Sequence, residues 1–318
     1  MPGEVIAVDL GGTHLRCAAV GPDGTLSGRR VVPSPAGAGP TSVLDAMVAL
    51  IEETRRAAGV VATAPIGVAI PGPLDPATGV VGYTPNLAGW QDVPFGPWLH
   101  RATGAPVRLG NDGNCAAVGE HRHGVARGVE DVVYLALGTG VGGGIISRGV
   151  LLEGAHGLGG EVGHVVVALD GPRCTCGGIG CLEAFASGWA LAREGEMVAA
   201  TADGAALKSA AAGQPMTPAV IARAAEAGDP TASRILQRAG HALGAAIGAF
   251  ANLFNPELVV IGGGVGTLGE LLLGPARDAI PSHAFAGNRR DLRLARSVLG
   301  DDTALLGAAA LAREQGPS

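Results

Sequence analysis

Residues 4–26, EVIAVDLGGTHLRCAAVGPDGTL, alternate short apolar runs with a glycine turn and a PDG turn. Runs of that length broken by such turns predict three strands in a meander. The pattern recurs at residues 131–154, DVVYLALGTGVGGGIISRGVLLEG, as strand, GTGVGGG turn, strand, SRG turn and strand. Two copies of one meander, each with a Gly- and Thr-rich first turn, predict a duplicated architecture with one phosphate-gripping hairpin per half. The candidate phosphate residues are Gly11, Gly12 and Thr13 in the first copy and Gly138, Thr139 and Gly140 in the second. Backbone N–H groups at such turns form anion-binding concavities without a lysine. A Cβ at these positions would hold a phosphate away. For either hairpin alone, the structural alternative is a tight turn in a sheet.

Helical spacing appears elsewhere. Residues 230–254 open with proline, carry apolar groups at helical intervals and are halted by NPE. LVVIGGGV at 258–265 reads as a buried strand entering a turn. Gly262, Gly263 and Gly264 there either admit an adenosine close to the backbone or form only a tight strand-to-helix turn. A helix is expected from about CAAVGE at 115–120, and another over TALLGAAALARE at the end of the chain. Gly138, Gly140 and Gly143 also satisfy G-x-G-x-x-G, the dinucleotide fingerprint, which requires a helix next. The continuation GGIISRGVLLEG is split by its SRG turn and suits strands, which argues against a dehydrogenase. Residues 195–217 carry no identifiable chemistry.

Composition narrows the class. A chain of 318 residues with 47% hydrophobic content can bury a sizeable core, in two domains or one domain in two lobes. No apolar run approaches the roughly 18 residues of a membrane span, and MPGEVIAVDL lacks the order of a signal peptide, so a cytoplasmic protein is expected. Net charge is −6, and Lys208 is the one lysine. That balance argues against a nucleic-acid surface. It also excludes a P-loop, which needs lysine directly after its glycines.

Three of the five cysteines crowd into RCTCGGIGCLE, residues 173–183. Where thiols stay reduced, C-x-C-x4-C reads as a metal site before it reads as a disulfide framework. Cys174, Cys176 and Cys181 would supply three thiolates, with glycines at 177, 178 and 180 letting the chain wrap one ion. A closed tetrahedral zinc site needs a fourth ligand. Spacing leaves His156 and His164 open. Cys17 and Cys115, in apolar surroundings, read as core residues.

The order DLGGTHLR, GNDGNCAAVGE, LGTGVGGG, EGAHGLGGEVGH, CTCGGIGCLE and VVIGGG resembles the ROK family of bacterial repressors, open reading frames and sugar kinases, and within it the ATP-dependent glucokinases. The resemblance covers nearly the whole chain. It implies an α/β fold, the two-lobed actin-like ATPase architecture shared by sugar kinases, heat-shock proteins and actin. Residues 1–109 would form a small lobe to which the final helix, 301–318, returns, and residues 110–300 a large lobe. It implies phosphorylation of glucose at the 6-hydroxyl by ATP with Mg2+, in a homodimer or homotetramer without nucleic-acid or membrane partners.

Residue by residue, the resemblance assigns Asp112 as general base and Asn111, Glu161, His164 and Glu183 as partners of hexose hydroxyls. Gly72 in IPGPLD and Asn86 in TPNLAGW would lie at the same cleft. It selects His164 as the fourth ligand of a structural zinc, and places Asp9 near the Mg2+ through water. Gly262 and Gly263 would meet the nucleotide. The residues alone allow plainer readings. NDG is turn-prone and Asp112 can cap a helix; Glu183 can be a helix-start acid; Asp9 can be a buried strand-end aspartate satisfied by backbone N–H groups. Kinases for mannose, fructose or N-acetylhexosamines share these motifs. A non-catalytic sugar sensor could keep the sugar pocket while lacking the acceptor carboxylate or the phosphate turns, and this sequence carries both. A sugar-responsive repressor would carry a DNA-binding domain ahead of the first phosphate motif, and Asp9 stands too near the start for one to be expected.

Overall fold

The computed structural model describes residues 3–84 and 87–314, so Asn86 and residues 315–318 lie outside the described residues. The chain divides into two compact units. The first comprises Met1–Glu130, Gly144–Gly160 and Val298–Ser318; the second comprises Asp131–Gly143 and Glu161–Ser297.

The first unit begins with the expected meander, β1 (Val5–Leu10), β2 (His14–Val20) and β3 (Leu26–Pro33). β4 (Ile66–Ile70) follows, then a small ladder of β5 (Leu74–Asp75) and β6 (Val80–Val81), then β7 (Val107–Asn111). The sheet order is β3-β2-β1-β4-β7, with β1 antiparallel to β2 and parallel to β4, and β4 parallel to β7. β1 is buried at every position. Its alternate side chains face opposite ways. Ile6 and Val8 join Met47 and Ile51 of the helix Pro40–Ala58, while Val5 and Ala7 join Leu305 and Ala309 of the helix Thr303–Glu314. A strand covered on both faces reads as an apolar run, as VIAV does before Asp9.

β7 and the helix Asp112–His123 belong to the first unit, so the division does not fall at residue 110. The physical reason is pairing: β7 extends the first sheet through β4, and the helix packs on Thr303–Glu314. Glu120 on that helix is fully buried and accepts from the backbone N–H of Val125 at 2.9 Å and of Val298 at 3.2 Å. A buried carboxylate persists where donors surround it, and this one pins the segment that re-enters the unit at Val298.

The second meander is β8 (Val132–Leu137), β9 (Val141–Ser147) and β10 (Val150–Leu151), followed much later by β11 (Leu258–Gly262) and β12 (Arg293–Arg296), in the order β10-β9-β8-β11-β12. β8, β11 and β12 are parallel. The sequence after the GTGVGGG turn is therefore strand, as its SRG break predicts. The helix expected at 230–254 spans Pro230–Phe254; Asp229 caps it by accepting from Thr231 N at 2.7 Å, and Asn255 ends it in a left-handed conformation. Residues 195–217 run from the end of the helix Gly188–Ala199 through the short helix Ala205–Ala211 into a non-helical segment, all within the second unit.

Candidate active site and metal centre

The cysteine cluster forms a four-ligand group. The ligand atoms of His164, Cys174, Cys176 and Cys181 all lie within 4.8 Å of one another. Cys174 Sγ is 3.8 Å from His164 Nδ1, and Cys176 Sγ is 3.8 Å from Cys181 Sγ. Four ligands around a zinc with metal–sulfur bonds of about 2.3 Å would stand just under ~4 Å apart, so the donor set and its spacing suit that ion. His156, which the spacing left open, is exposed and belongs to the first unit.

The loop is held by backbone bonds, with Cys174 N donating to Gly178 O at 2.8 Å and Gly177 N to Cys174 O at 3.0 Å, and by packing of Cys174 and Cys181 against Ala184 and Trp189. Burial pushes the Cys174 thiol up to about 12 and raises Cys181, whereas the Gly178 backbone N–H, 3.4 Å from Cys176 Sγ, lowers that thiol. A cation is what would bring all three to thiolate together. His164 turns Nδ1 to the cysteines, leaving Nε2 at the other edge of the ring. It ends the short 3-10 helix Val162–His164, whose N-terminal flank is the exposed Glu161, and His164 N donates to Glu161 O at 3.0 Å.

Glu183 starts the helix Glu183–Ala186, yet it does more than complement a helix dipole. The side chain is buried. Oε1 accepts from Thr175 Oγ1 at 2.8 Å and lies 3.4 Å from Cys174 Sγ, while Oε2 accepts from Val141 N at 3.0 Å. The carboxylate thus ties the metal loop to the strand that leaves the second glycine turn. That turn closes with Gly138 N donating to Gly140 O at 2.9 Å, and Gly188 N donates to Gly138 O at 2.8 Å from behind. A Cβ on Gly140 would stand 2.6 Å from Glu183 Oε2, so glycine there is required by the carboxylate as well as by any phosphate. Thr139 at the tip is exposed.

The first turn is built differently. Gly11 N donates to His14 O at 2.9 Å, and Gly12 and Thr13 are exposed. A Cβ on Gly12 would meet nothing within 4 Å. Asp9, at the end of β1, is paired with a side chain rather than with backbone N–H groups: Arg16 Nη1 lies 3.1 Å from its Oδ2. Burial raises the Asp9 carboxyl above its ordinary value, against the lowering pull of Arg16.

At the third glycine cluster, Gly262 ends β11 and Gly263 adopts φ +80°. A side chain on Gly262 would collide with the Tyr134 ring and one on Gly263 with the Leu137 backbone, whereas Gly264 has nothing within 4 Å of it. Internal packing alone thus accounts for glycine at 262 and 263.

Asn111, not Asp112, caps the helix Asp112–His123. Its Oδ1 accepts from Gly113 N at 2.9 Å and Asn114 N at 3.2 Å, and its Nδ2 donates to Gly72 O at 3.2 Å. An amide nitrogen has two hydrogens, so Asn111 can donate once more. Asp112 is the first helical residue, with Oδ1 accepting from Gly113 N at 2.8 Å. The positive end of the helix favours its ionised form. The structure thus groups Asp9, Gly11, Gly12, Thr13, Gly72, Asn111 and Asp112 in the first unit. Gly138, Thr139, Gly140, Glu161, His164, Cys174, Cys176, Cys181, Glu183, Gly262 and Gly263 fall in the second. Sequence reasoning missed Thr175 and Arg16; neither stands in a pattern of its own, and each is identified only by its partner.

The family profile described as ROK family matches residues 5–315. The chain is 35% identical over 316 residues to a glucokinase of Thermotoga maritima, covering 98% of both chains. It is 34% identical over 311 residues to an N-acetylmannosamine kinase of Citrobacter koseri, covering 98% of this chain and 99% of that one. Among solved structures, a ROK family glucokinase from Streptomyces griseus in complex with glucose and AMPPNP has a TM-score of 0.83 at 33% identity, covering 98% of this chain and 100% of that one. The expected α/β architecture, that of the actin-like sugar kinases, is the one these relatives share. Its profile match, its identity along nearly the full chain and its fold agree: the chain belongs to the ROK family.

Proposed function

We propose that the protein is an ATP-dependent kinase that transfers the γ-phosphoryl group of ATP to the 6-hydroxyl of glucose. The observation that carries this reading is the end-to-end likeness to glucokinases, one of them crystallised with glucose and a non-hydrolysable ATP analogue. Asp112 is the general base. As the 6-oxygen bonds to the γ-phosphorus and the bond to the β-phosphate oxygen breaks, the hydroxyl proton passes to its carboxylate and ADP leaves. Asn111, Gly72, Glu161, His164 and Glu183 hold the hexose hydroxyls; Nε2 of His164, the second hydrogen of Asn111 Nδ2 and the spare acceptor capacity of Glu183 are the groups suited to it.

The turns at Gly11–Thr13 and Gly138–Gly140 hold phosphates through backbone N–H groups. Gly262 and Gly263 shape the adenosine side, with Gly264 providing the open approach. Bound Mg2+ supplies positive charge across the phosphates. Asp9 would be the carboxylate nearest that ion, reaching it through water. A zinc held by His164, Cys174, Cys176 and Cys181 is structural, since four protein ligands leave no position for an activated water. The cytoplasm and a homodimer or homotetramer belong to the same reading; no helix among the described residues is long and apolar enough to cross a membrane.

The N-acetylmannosamine kinase of Citrobacter koseri, alike over the same length, supports a second reading in which the acceptor is another hexose. ADP release measured across glucose, mannose, fructose, N-acetylglucosamine and N-acetylmannosamine decides between them. Preference for glucose is expected; preference for an N-acetylated sugar overturns the assignment of substrate, and no release on any sugar overturns the kinase.

A further inference from the structure

Thr175 sits between two proposed metal ligands and is not itself one. Its hydroxyl donates to Glu183 Oε1 at 2.8 Å, while the other oxygen of that carboxylate accepts from the backbone of Val141 at 3.0 Å. Among the described residues, the other side chain near Oε1 is Cys174, whose thiol stands 3.4 Å away. The hydroxyl of Thr175 is the closer of the two and makes the shorter bond, so it is the contact that fixes Oε1 in place. The packing of the loop runs through Cys174, Cys181, Ala184 and Trp189, none of which offers that oxygen a hydroxyl.

We infer that Thr175 is a positioning residue, whose hydroxyl aims the Glu183 carboxylate at the hexose while the Val141 backbone fixes its far end. This rests on the sugar-kinase reading above and deepens it. Without the hydroxyl the carboxylate pivots about the Val141 bond, and the hydroxyl of the sugar meets a mis-aimed partner. The second glycine turn keeps its own bonds, from Gly138 to Gly140 and from Gly188 to Gly138. Hexose binding should therefore suffer and nucleotide binding should not.

The test compares wild type, T175V and T175S as full-length, metal-loaded protein, with zinc content and circular dichroism checked for each. Calorimetric titration of glucose without nucleotide, and KM for glucose and for ATP, are the readouts. T175V should weaken glucose binding and raise the glucose KM by about tenfold, the scale of one lost bond to a charged group. The ATP KM should stay within about twofold, and T175S should restore glucose binding to within about twofold of wild type, because serine returns the same donor. If T175V misfolds or loses zinc, T175A removes the hydroxyl without added bulk and carries the same expectation. Unchanged glucose affinity in the folded, zinc-loaded variant overturns the inference, as does a T175S as weak as T175V. Failure of the wild type to release ADP on any hexose overturns the kinase reading instead, and is seen before any variant is measured.

Discussion

The two glycine hairpins share a sequence pattern and differ in what stands behind them. At the first, Gly12 and Thr13 project into open space, and the nearest charged pair is Asp9 with Arg16 across the β1–β2 ladder. At the second, Gly140 lies against the Glu183 carboxylate, Val141 donates to it, and the start of the helix Gly188–Ala199 donates to Gly138. Duplication of the strand–turn–strand unit thus copies the backbone cradle without copying its connections. Among the described residues, only the second hairpin is joined through a side chain to the cysteine loop, so a turn proposed to hold phosphate and a carboxylate proposed to hold the sugar share one support there.

Neither hairpin supplies a proton acceptor, and this separates binding from chemistry most sharply. Asp112→Asn keeps the shape and removes the charge. It should lower turnover by roughly 10²-fold or more, the usual worth of a general base, with glucose and nucleotide affinities close to wild type by calorimetry. Turnover near wild type would leave Asp112 as a helix-start acid and place the base elsewhere.

The comparison itself is broken by valine at equivalent positions. At Gly12 an added Cβ meets no protein atom within 4 Å, so a rise in the ATP KM of Gly12→Val reports a ligand at that turn, and the glucose KM should hold. Gly140→Val drives a side chain into Glu183 Oε2. It should raise both KM values, each by about tenfold or more, as expected when a buried charged bond is displaced. Equal behaviour of the two variants, with the glucose KM unmoved in both, would show that the Glu183 connection carries no consequence for sugar.

Stripping the metal tests the same asymmetry more gently. With a strong chelator the cysteine loop loses its cross-link, and Glu183 loses the order of the segment that carries Thr175. Glucose binding should weaken by about tenfold while the first hairpin is untouched, and the melting temperature should fall, since a ligand that binds only the folded state stabilises it. Equal glucose affinity with and without metal would make the cluster a remote staple.

What could be read from the chain follows the range of each interaction. The meanders, the 230–254 helix and the C-x-C-x4-C loop are written in neighbouring residues; the helix matches its pattern end to end, whereas the third strand of the first meander begins at Leu26 and runs on to Pro33, past the stretch whose pattern announces it. The helix cap was one residue off, because Asn and Asp are equally good caps and GNDGN offers both. The bond from Val141 to Glu183 spans 42 residues and leaves no local trace. Thr175 looks like filler between cysteines until its partner is seen. The run GGG at 262–264 invites one explanation, yet packing against Tyr134 and Leu137 accounts for two of the glycines and open space for the third.

The smallest effect concerns Asp9, which distinguishes the first hairpin by its buried charge. Burial is the main influence on this carboxyl and raises it from 3.8; Arg16 lowers it by attraction and a hydrogen bond, and Asp301 and Asp302 add to the rise. A group whose value is higher in the folded state binds its proton more readily there than in the unfolded chain. Between 3.8 and that raised value the native state therefore holds more protons, and the stability due to this group is full at lower pH and lost as pH rises through the window. The slope from one such group is at most ~1.4 kcal/mol per pH unit. Asp9→Asn should flatten that part of the stability curve, measured by urea unfolding across mildly acidic pH. Removing the Arg16 charge with Arg16→Gln should extend the window upward, since the opposing attraction is gone. Saturating Mg2+ with ATP should act in the opposite sense, because a cation beside Asp9 favours the carboxylate. A stability curve that is the same in wild type and Asp9→Asn would mean that Arg16 cancels the burial cost, leaving both hairpins electrically alike.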